Sequence, residues 1–446
     1  MITAQSLRAE TEERMRPALA VDPVARFGRV VRSQGEVLFA SGVRAPIGSS
    51  CSIEMEGGGL LAAEVVGFEA GSLLLIPEKG MRGVVRGARV KVEARAPAPL
   101  MGLGLLGRVL DGRGVPLDGL PPPEVAHPWP LLGVPVNPME RARITVPFDA
   151  GVGAINALAT MGRGMRLGLF AGSGVGKTTL LGMMARHAQA DVVVLAMIGE
   201  RGREIREFIE DHLAEARART VVIASPADDT ALGRLHGAYR AAAIAEFFRA
   251  EGLHVLLVVD SLTRLAMALR EIGLAVGEPP ATKGYPPSVF AALSAYVERA
   301  GNGAEGSGSV TGLYTVLVEG DDHVGDPVAD AARAVLDGHI VLSRTLAEAA
   351  LFPPVDVVAS LSRPMPALVT PVHQRLAMRF RALWARRMEK QDIVDLGVYA
   401  SGRDALLDEA LRRASAMESV IRQDFWSRVT LGEAVASLEA ALGEGP

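Results

Sequence analysis

Between Phe27 and Val92 the apolar residues come in short runs separated by glycines and charged pairs: GRVVR, SCSIEM, LAAEVVGF, SLLLIP and RVKVEA. Runs this short, rich in Val, Ile and Leu with turn residues between them, predict a small antiparallel barrel or sandwich; the barrel is the expectation carried forward. A different texture follows. GRVLDGRGVPLDG (Gly107–Gly119) and the proline-rich PPPEVAHPWP exclude a long helix and predict an ordered connector. From Arg141 to Val372 strands alternate with helices. The expected strands are Arg166–Phe170, Asp191–Ile198, Thr220–Ala224, His254–Val259, Thr311–Val318 and His339–Ser343. The expected helices are Thr178–Gln189, Glu204–Arg217, Thr230–Ala250 and Pro287–Ala300. Such alternation implies a mainly parallel sheet covered on both faces. His373–Leu442 has helical spacing and reads as an α-helical cap. The resulting division is a segment 1–22, a β-barrel domain 23–97, an α/β core 98–372 and a C-terminal helical domain 373–446.

Composition narrows the function. The chain has 446 residues and a net charge of −4. Nucleic-acid binders draw affinity from phosphate neutralisation and carry a basic excess, so this balance argues against nucleic acid. The single cysteine, Cys51, cannot form an internal disulfide and fits a reducing compartment. MITAQSLRAETEERMRP lacks the apolar core of a signal peptide. Runs such as Val192–Ile198 fall far short of the ~20 residues that span a bilayer. A cytoplasmic protein, meeting membranes only through partners, is expected.

The strongest motif is AGSGVGKT, Ala171–Thr178. It matches the phosphate-binding P-loop, except that Ala171 stands where the strict pattern has Gly. It lies between a predicted strand, RLGLF, and a predicted helix, as the motif requires. Gly172, Gly174 and Gly176 let backbone N–H groups turn inward around phosphate oxygens, with Ser173, Val175 and Thr179 completing the cradle. The following helix offers its positive dipole end. Lys177 reaches the β- and γ-phosphates, and the Thr178 hydroxyl ligates Mg2+. HVLLVVD ends at Asp260, an acid at the top of an apolar strand, suited to holding the metal. Hydrolysis also needs a group to position water. The candidate is Glu200 in MIGERGRE, just past a strand that ends on the same sheet edge. A surface carboxylate at a helix start is an equal reading of Glu200 from the residues alone. Arg201 beside it is a candidate for the γ-phosphate charge. Glu204, Glu207 and Glu210 fall at helical spacing and read as a solvated face.

Four longer phrases go further: NPMERARITVPFDAGVGAINAL (Asn137–Leu158), GERGREIREFIE (Gly199–Glu210), DSLTRLAMALREIGLAVGEPPATKGYPPSVFA (Asp260–Ala291) and GDPVADAARAVLDGHIVLSR (Gly325–Arg344). Together they resemble the flagellar and type III protein export ATPases, relatives of the catalytic subunit of F-type ATP synthase. The likeness covers about residues 25–440. It implies a RecA-like P-loop ATPase core between the small β-barrel and the helical domain. It implies Mg-dependent ATP hydrolysis energising protein export, with ATP and Mg2+ bound at Lys177, Thr178 and Asp260. Glu200 matches the catalytic glutamate and Arg201 the arginine beside it. Arg363, in ASLSRPM, matches an arginine finger that enters a neighbouring subunit's site. Phe352, in LFPPVD, matches the aromatic that packs on adenine. The loop around Asp321–Asp326 resembles one that faces a central shaft.

The partners implied are other copies in a homohexamer, a stator-like regulator at the N-terminal segment Met1–Ala20, a central stalk protein, and the export gate with its chaperone–substrate complexes. The place implied is the cytoplasmic face of the inner-membrane export apparatus. The virulence (injectisome) version and a catalytic subunit of an F- or V-type rotary ATPase stay open; GEPPATKGYPPSVF counts toward the export branch, and the charged N-terminal segment toward the flagellar one. A non-catalytic ring subunit would lack Glu200. An RNA translocase would need a basic, aromatic barrel, and residues 27–92 carry only Phe27, Phe39 and Phe68.

Overall fold

Alternation in the N-terminal region closes a six-stranded barrel. Its strands are β1 (Phe27–Gln34), β2 (Val37–Ser41), β3 (Ser50–Glu54), β4 (Leu60–Glu69), β5 (Ser72–Pro77) and β6 (Arg89–Val92), in the order β1-β2-β5-β4-β3-β6. Every pair is antiparallel. Inward residues of the period-2 pattern, among them Leu38, Ile53, Val65, Leu75 and Val90, fill the interior. Cys51 is one of them. Burial, with Glu93 adding to it, pushes its thiol up to about 11. The computed structural model describes residues 26–93, 98–318 and 325–443. The Met1–Ala20 segment and Asp321 lie outside them. The chain divides into two compact units, Met1–Pro97 and Ala98–Pro446.

The second unit is built on a sheet whose strands are β7 (Val109–Asp111), β8 (Arg166–Ala171), β9 (Val192–Ile198), β10 (Thr220–Ser225), β11 (His254–Asp260), β12 (Ser309–Leu317), β13 (Gly338–Leu342) and β14 (Val355–Ser362). They lie in the order β14-β13-β8-β12-β11-β9-β10-β7. All neighbours along this order are parallel except β13 and β14. Both faces are covered. Val193, Leu195 and Met197 of β9 enter one core, and Val192, Val194, Ala196 and Ile198 the other. This explains why central strands read as unbroken apolar runs.

On the first face pack α1 (Gly153–Leu158), α2 (Lys177–His187) and α3 (Gly202–His212). The C-terminal helices α8 (Pro371–Glu389), α9 (Ala405–Arg412), α10 (Ala414–Ile421) and α11 (Leu431–Leu442) share this core through Phe380, Trp384, Ala410, Met417 and Leu438. The buried Gln423 ties them in: its side chain accepts from Gly153 N–H at 2.7 Å and donates to Gly151 C=O at 2.9 Å. The opposite face carries α4 (Ala231–Ala250), α5 (Leu262–Ala275), α6 (Pro287–Val297) and α7 (Pro327–Val335).

Two segments differ from expectation. The helix expected over Glu204–Arg217 stops at His212. Beyond it the chain makes a short turn, Arg217–Arg219, that brings Arg219 onto the carbonyls ending α2. In the expected connector, Val109–Asp111 pairs with β10 as an edge strand. That strand is secured by an ion pair: Arg108 Nε lies 2.7 Å from Asp118 Oδ2, with side chains 11% and 1% exposed. Asp118 also accepts from the N–H groups of Val109 and Leu120. The bond from Arg108 comes first among the causes holding its carboxyl well below the usual range.

Asp118→Ala leaves a buried guanidinium without its counter-charge and is expected to cost about 3–5 kcal/mol in denaturant unfolding. Because Asp118's folded value is depressed, the pair's stabilisation is present above about pH 4, its unfolded value. It fades as pH falls from there toward the folded value, and Asp118→Asn should remove that acid dependence.

Candidate active site

Strand β8 ends at Ala171, and α2 begins six residues later at Lys177. Gly174 and Gly176, with φ of 76° and 98°, make the turn that a side chain would resist. Gly176 is the N-cap of α2 and provides no side-chain cap. The first N–H groups of α2 are thus left for a ligand, and the dipole favours an anion there. Ser173, Gly174 and Thr178 are exposed at the loop, Val175 is buried beneath it, and Thr179 is half-buried.

Three charged side chains from three elements meet beside this loop. Lys177 Nζ lies 2.5 Å from Asp260 Oδ1 at the end of β11, and 3.5 Å from Glu200 Oε1 just past β9. Burial pushes the Glu200 carboxyl up, as does the charge on Asp260, while Lys177 and Arg264 oppose the shift. The ammonium stands between two carboxylates that otherwise repel each other. These are hard oxygen donors, with the exposed Thr178 hydroxyl following Lys177. No group of three or more His, Cys, Asp or Glu among the described residues forms a protein-only metal cage. That set fits Mg2+, which takes one or two protein ligands together with substrate phosphates and water.

Several neighbours carry no motif and had no assigned role from sequence. Thr315 Oγ1, near the end of β12, donates to Asp260 Oδ1 at 2.6 Å and fixes the carboxylate. Its only sequence signal is one of four hydroxyls in the strand SVTGLYTVL. Arg264 crowds Gly199: a Cβ on Gly199, whose φ is 71°, would come within 2.9 Å of it. The glycine therefore lets this arginine approach Glu200. Thr315→Val keeps the shape and removes the bond. We expect ATP turnover at limiting Mg2+ to fall about 10–100-fold, the range for losing a ligand's supporting partner, with part of the loss recovered at high Mg2+.

Next to the loop, Phe352 and Phe425 line a small apolar cleft with Thr179, Met183 and Pro354. Phe352 is 44% exposed, uncommon for a ring in a core. Phe425, from the turn after α10, is the second aromatic and was not found by sequence reading, because it lies over 70 residues away. Two predicted residues stand apart from the cluster. Arg201 stands at the N-cap position of α3 without a capping bond from its side chain, which is 84% exposed and lies 3.5 Å from Glu204. Glu207 and Glu210 pair with Arg203 and Arg206 along the solvated face of α3.

Arg363 follows β14, which starts beside Leu342 and ends with Ser362 paired to Gly338, the first residue of β13. Gly338 in turn pairs with Leu167, near the start of β8. Arg363 therefore sits at the sheet edge opposite the P-loop, roughly 15 Å away at about 3.3 Å per residue. There it is exposed and donates to Arg333 C=O at 3.2 Å. Of the expected shaft-facing loop, Asp326 is described; it caps α7 by accepting from Val328 and Ala329 N–H.

A parallel sheet with a P-loop at its carboxyl edge, two acids at adjacent strand ends and a small aromatic cleft beside the loop define a P-loop nucleoside triphosphatase. The profile of the ATP synthase alpha/beta family nucleotide-binding domain matches residues 151–362, and that of the T3SS EscN ATPase C-terminal domain matches residues 369–440. The flagellum-specific ATP synthase of Salmonella typhimurium is 51% identical over 428 residues, 93% of each chain. That of Pseudomonas aeruginosa is 48% identical over 446 residues, covering 99% of this chain and 98% of the relative. The assembled ATPase EscN of enteropathogenic E. coli superposes with a TM-score of 0.87 at 38% identity, covering 93% of this chain and 99% of EscN. EscN in complex with its central stalk EscO gives 0.84 at 37%, with the same coverage. The chain belongs to the family of flagellum-specific ATP synthases and type III secretion ATPases.

Proposed function

We propose that this chain hydrolyses ATP to ADP and phosphate, with Mg2+, to energise protein export through a flagellar type III apparatus. The observation that carries the chemistry is the Lys177 ammonium held between Glu200 and Asp260 at the mouth of the P-loop. An ammonium so placed is ready to exchange carboxylates for phosphate oxygens. The α2 N–H groups and the residues Gly172–Thr179 cradle the phosphates, and the Phe352–Phe425 cleft takes the adenine. Thr178 and Asp260 hold Mg2+, which when bound supplies positive charge to the phosphate oxygens. Glu200 orients the attacking water and takes up its proton. Arg201, exposed beside Glu204 at the start of α3, turns toward the γ-phosphate charge only once nucleotide is bound, and Arg363 serves a neighbouring copy. Positioning and electrostatics account for the rate.

The flagellar reading is supported by identities near one half to flagellum-specific relatives across nearly the whole chain. By analogy with assembled EscN and its central stalk, the chain works as a homohexameric ring around a stalk protein. A regulator at Met1–Ala20 and the export gate with its chaperone–substrate complexes complete the partners. No helix among the described residues is long and apolar enough to cross a membrane. We assign it to the cytoplasmic face of the export apparatus, reaching the membrane through partners. The test is deletion of the gene. Secretion of flagellar subunits into the medium should fall sharply while other secretion continues, and the purified chain should release phosphate from ATP only with Mg2+. Unchanged flagellar secretion, with loss of a virulence substrate instead, would favour the injectisome reading.

A further inference from the structure

A polar cavity of about 360 Å3 opens at the starting ends of β9, β10 and β11, on the sheet edge away from the P-loop. Its walls include Arg163, Arg186, His187, Arg219, His254 and Arg428, with Asp191 as the single lining acid. Much of this charge has an internal use. Arg219 donates to the carbonyls of Ala185, Arg186 and Ala188 and so caps the end of α2. Arg428 is paired with Asp149 at 2.9 Å. Asp191 accepts from His254 N–H, and the His254 ring meets Ser309.

What is left over is unusual. Arg186 is 8% exposed, and its hydrogen bond among the described residues runs from Nη2 to His212 C=O. Among the described residues its Nε and Nη1 have no partner, and neither does Nε of the half-buried Arg163. A buried guanidinium with free donors is costly unless something uses them. The planar fork of arginine matches a tetrahedral oxyanion with two parallel bonds. Arg163, from the turn before β8, and Arg186, from the last turn of α2, approach one space from separate elements.

We propose that this cavity binds a phosphate group, free or carried on a small ester, at a site separate from the P-loop. Arg186 and Arg163 grip the oxygens; burial, with the charges of Arg186 and Arg428, holds the His187 imidazole below its ordinary value, so it lines the mouth as a neutral hydrogen-bonding ring. The proposal does not rest on ATP turnover, so it stands or falls apart from the hydrolytic reading. A reporter is built in: the Arg186 guanidinium carbon lies 4.0 Å from the Trp426 ring centroid and 4.6 Å from that of Phe425.

The experiment titrates inorganic phosphate into the full-length Lys177→Ala protein, whose P-loop is disabled, following tryptophan fluorescence and binding heat. A saturable response with Kd of about 1 mM or tighter is expected. It should weaken about tenfold or more in Arg163→Gln and in Arg186→Lys. The fluorescence part should vanish in Trp426→Phe, while the heat is kept. Arg163→Gln lies off the Trp426 stack, so it remains informative if Arg186→Lys disturbs packing. Competition by glycerol 3-phosphate would assign the site to phosphoryl groups in general, and its absence to free phosphate. No saturation, a response matched by potassium chloride at equal ionic strength, or equal affinity in Arg163→Gln and the parent would overturn the proposal.

Discussion

Glu200→Gln is expected to lower ATP turnover by about a hundredfold or more, the range for removing a general base, while ATP affinity is held or improved. The two halves of this result have one physical origin. Glu200 and Asp260 share a single ammonium, Lys177, in a largely buried cluster. The amide keeps the side chain's shape but removes one negative charge from a site that must receive a polyanion, so binding does not suffer. What is lost is the acceptor for the water's proton. Burial, with the Asp260 charge adding to it, raises the Glu200 carboxyl above its ordinary value, a direction that makes it a better base. The sign follows from that direction. In the parent, turnover should decline as pH falls through the raised value and Glu200 becomes protonated. In Glu200→Gln that acid limb should disappear. Steady-state phosphate release against pH, with nucleotide binding measured separately, checks both. A variant with parental turnover would mean that a different group holds the water.

The parts of this site that sequence revealed are those whose function depends on local spacing. A P-loop must alternate glycine with donors over a few consecutive residues between a strand and a helix. AGSGVGKT therefore announces both its chemistry and its place in the fold. Asp260 was legible only in company: an acid ending HVLLVVD could as well cap the helix that follows it, and the intact P-loop elsewhere in the chain decided for the metal. The same locality made the central strands readable, since both faces of β9 are buried and every position is apolar. What escaped detection acts at a distance or in disguise. Thr315 is one of four hydroxyls on its strand, and only the register of β12 beside β11 brings it, rather than the others, to Asp260. Phe425 reaches the cleft because Gln423 anchors its turn to Gly151 and Gly153, contacts that span about 270 residues of chain. Edge strand β7 is three residues long inside a glycine- and proline-rich stretch, too short for any periodicity to register. The barrel was easier, because its short apolar runs are cut by glycine and charged turns, although only some strands, such as β3 and β4, alternate while β2 and β5 are buried at consecutive positions.

Arg363 poses the sharpest question, because its position separates two mechanisms. An arginine finger serving its own site would have to cross from the starting edge of the sheet to the P-loop edge, roughly 15 Å at the rise of a strand. Its guanidinium instead lies exposed against Arg333 C=O. If Arg363 acts in hydrolysis at all, it acts on a neighbouring copy. Fingers supplied in trans in related P-loop systems are worth about 10³–10⁵ in turnover. Arg363→Ala should therefore bind ATP and barely hydrolyse it. Lys177→Ala should be equally inactive, for want of a charge on the transferred phosphate, yet it retains an intact Arg363 to lend. Mixing the two dead proteins creates interfaces that pair a good P-loop with a good finger, so partial activity should return. The gain should be greatest near equal proportions and should vanish at concentrations too low for assembly. Arg363→Lys should rescue poorly, because an ammonium lacks the two-pronged donor geometry of the guanidinium. If native mass spectrometry shows mixed rings and no mixture exceeds its separate components, the shared site is refuted. Arg363 is then an arginine that fastens the end of β14 to the carbonyl of Arg333.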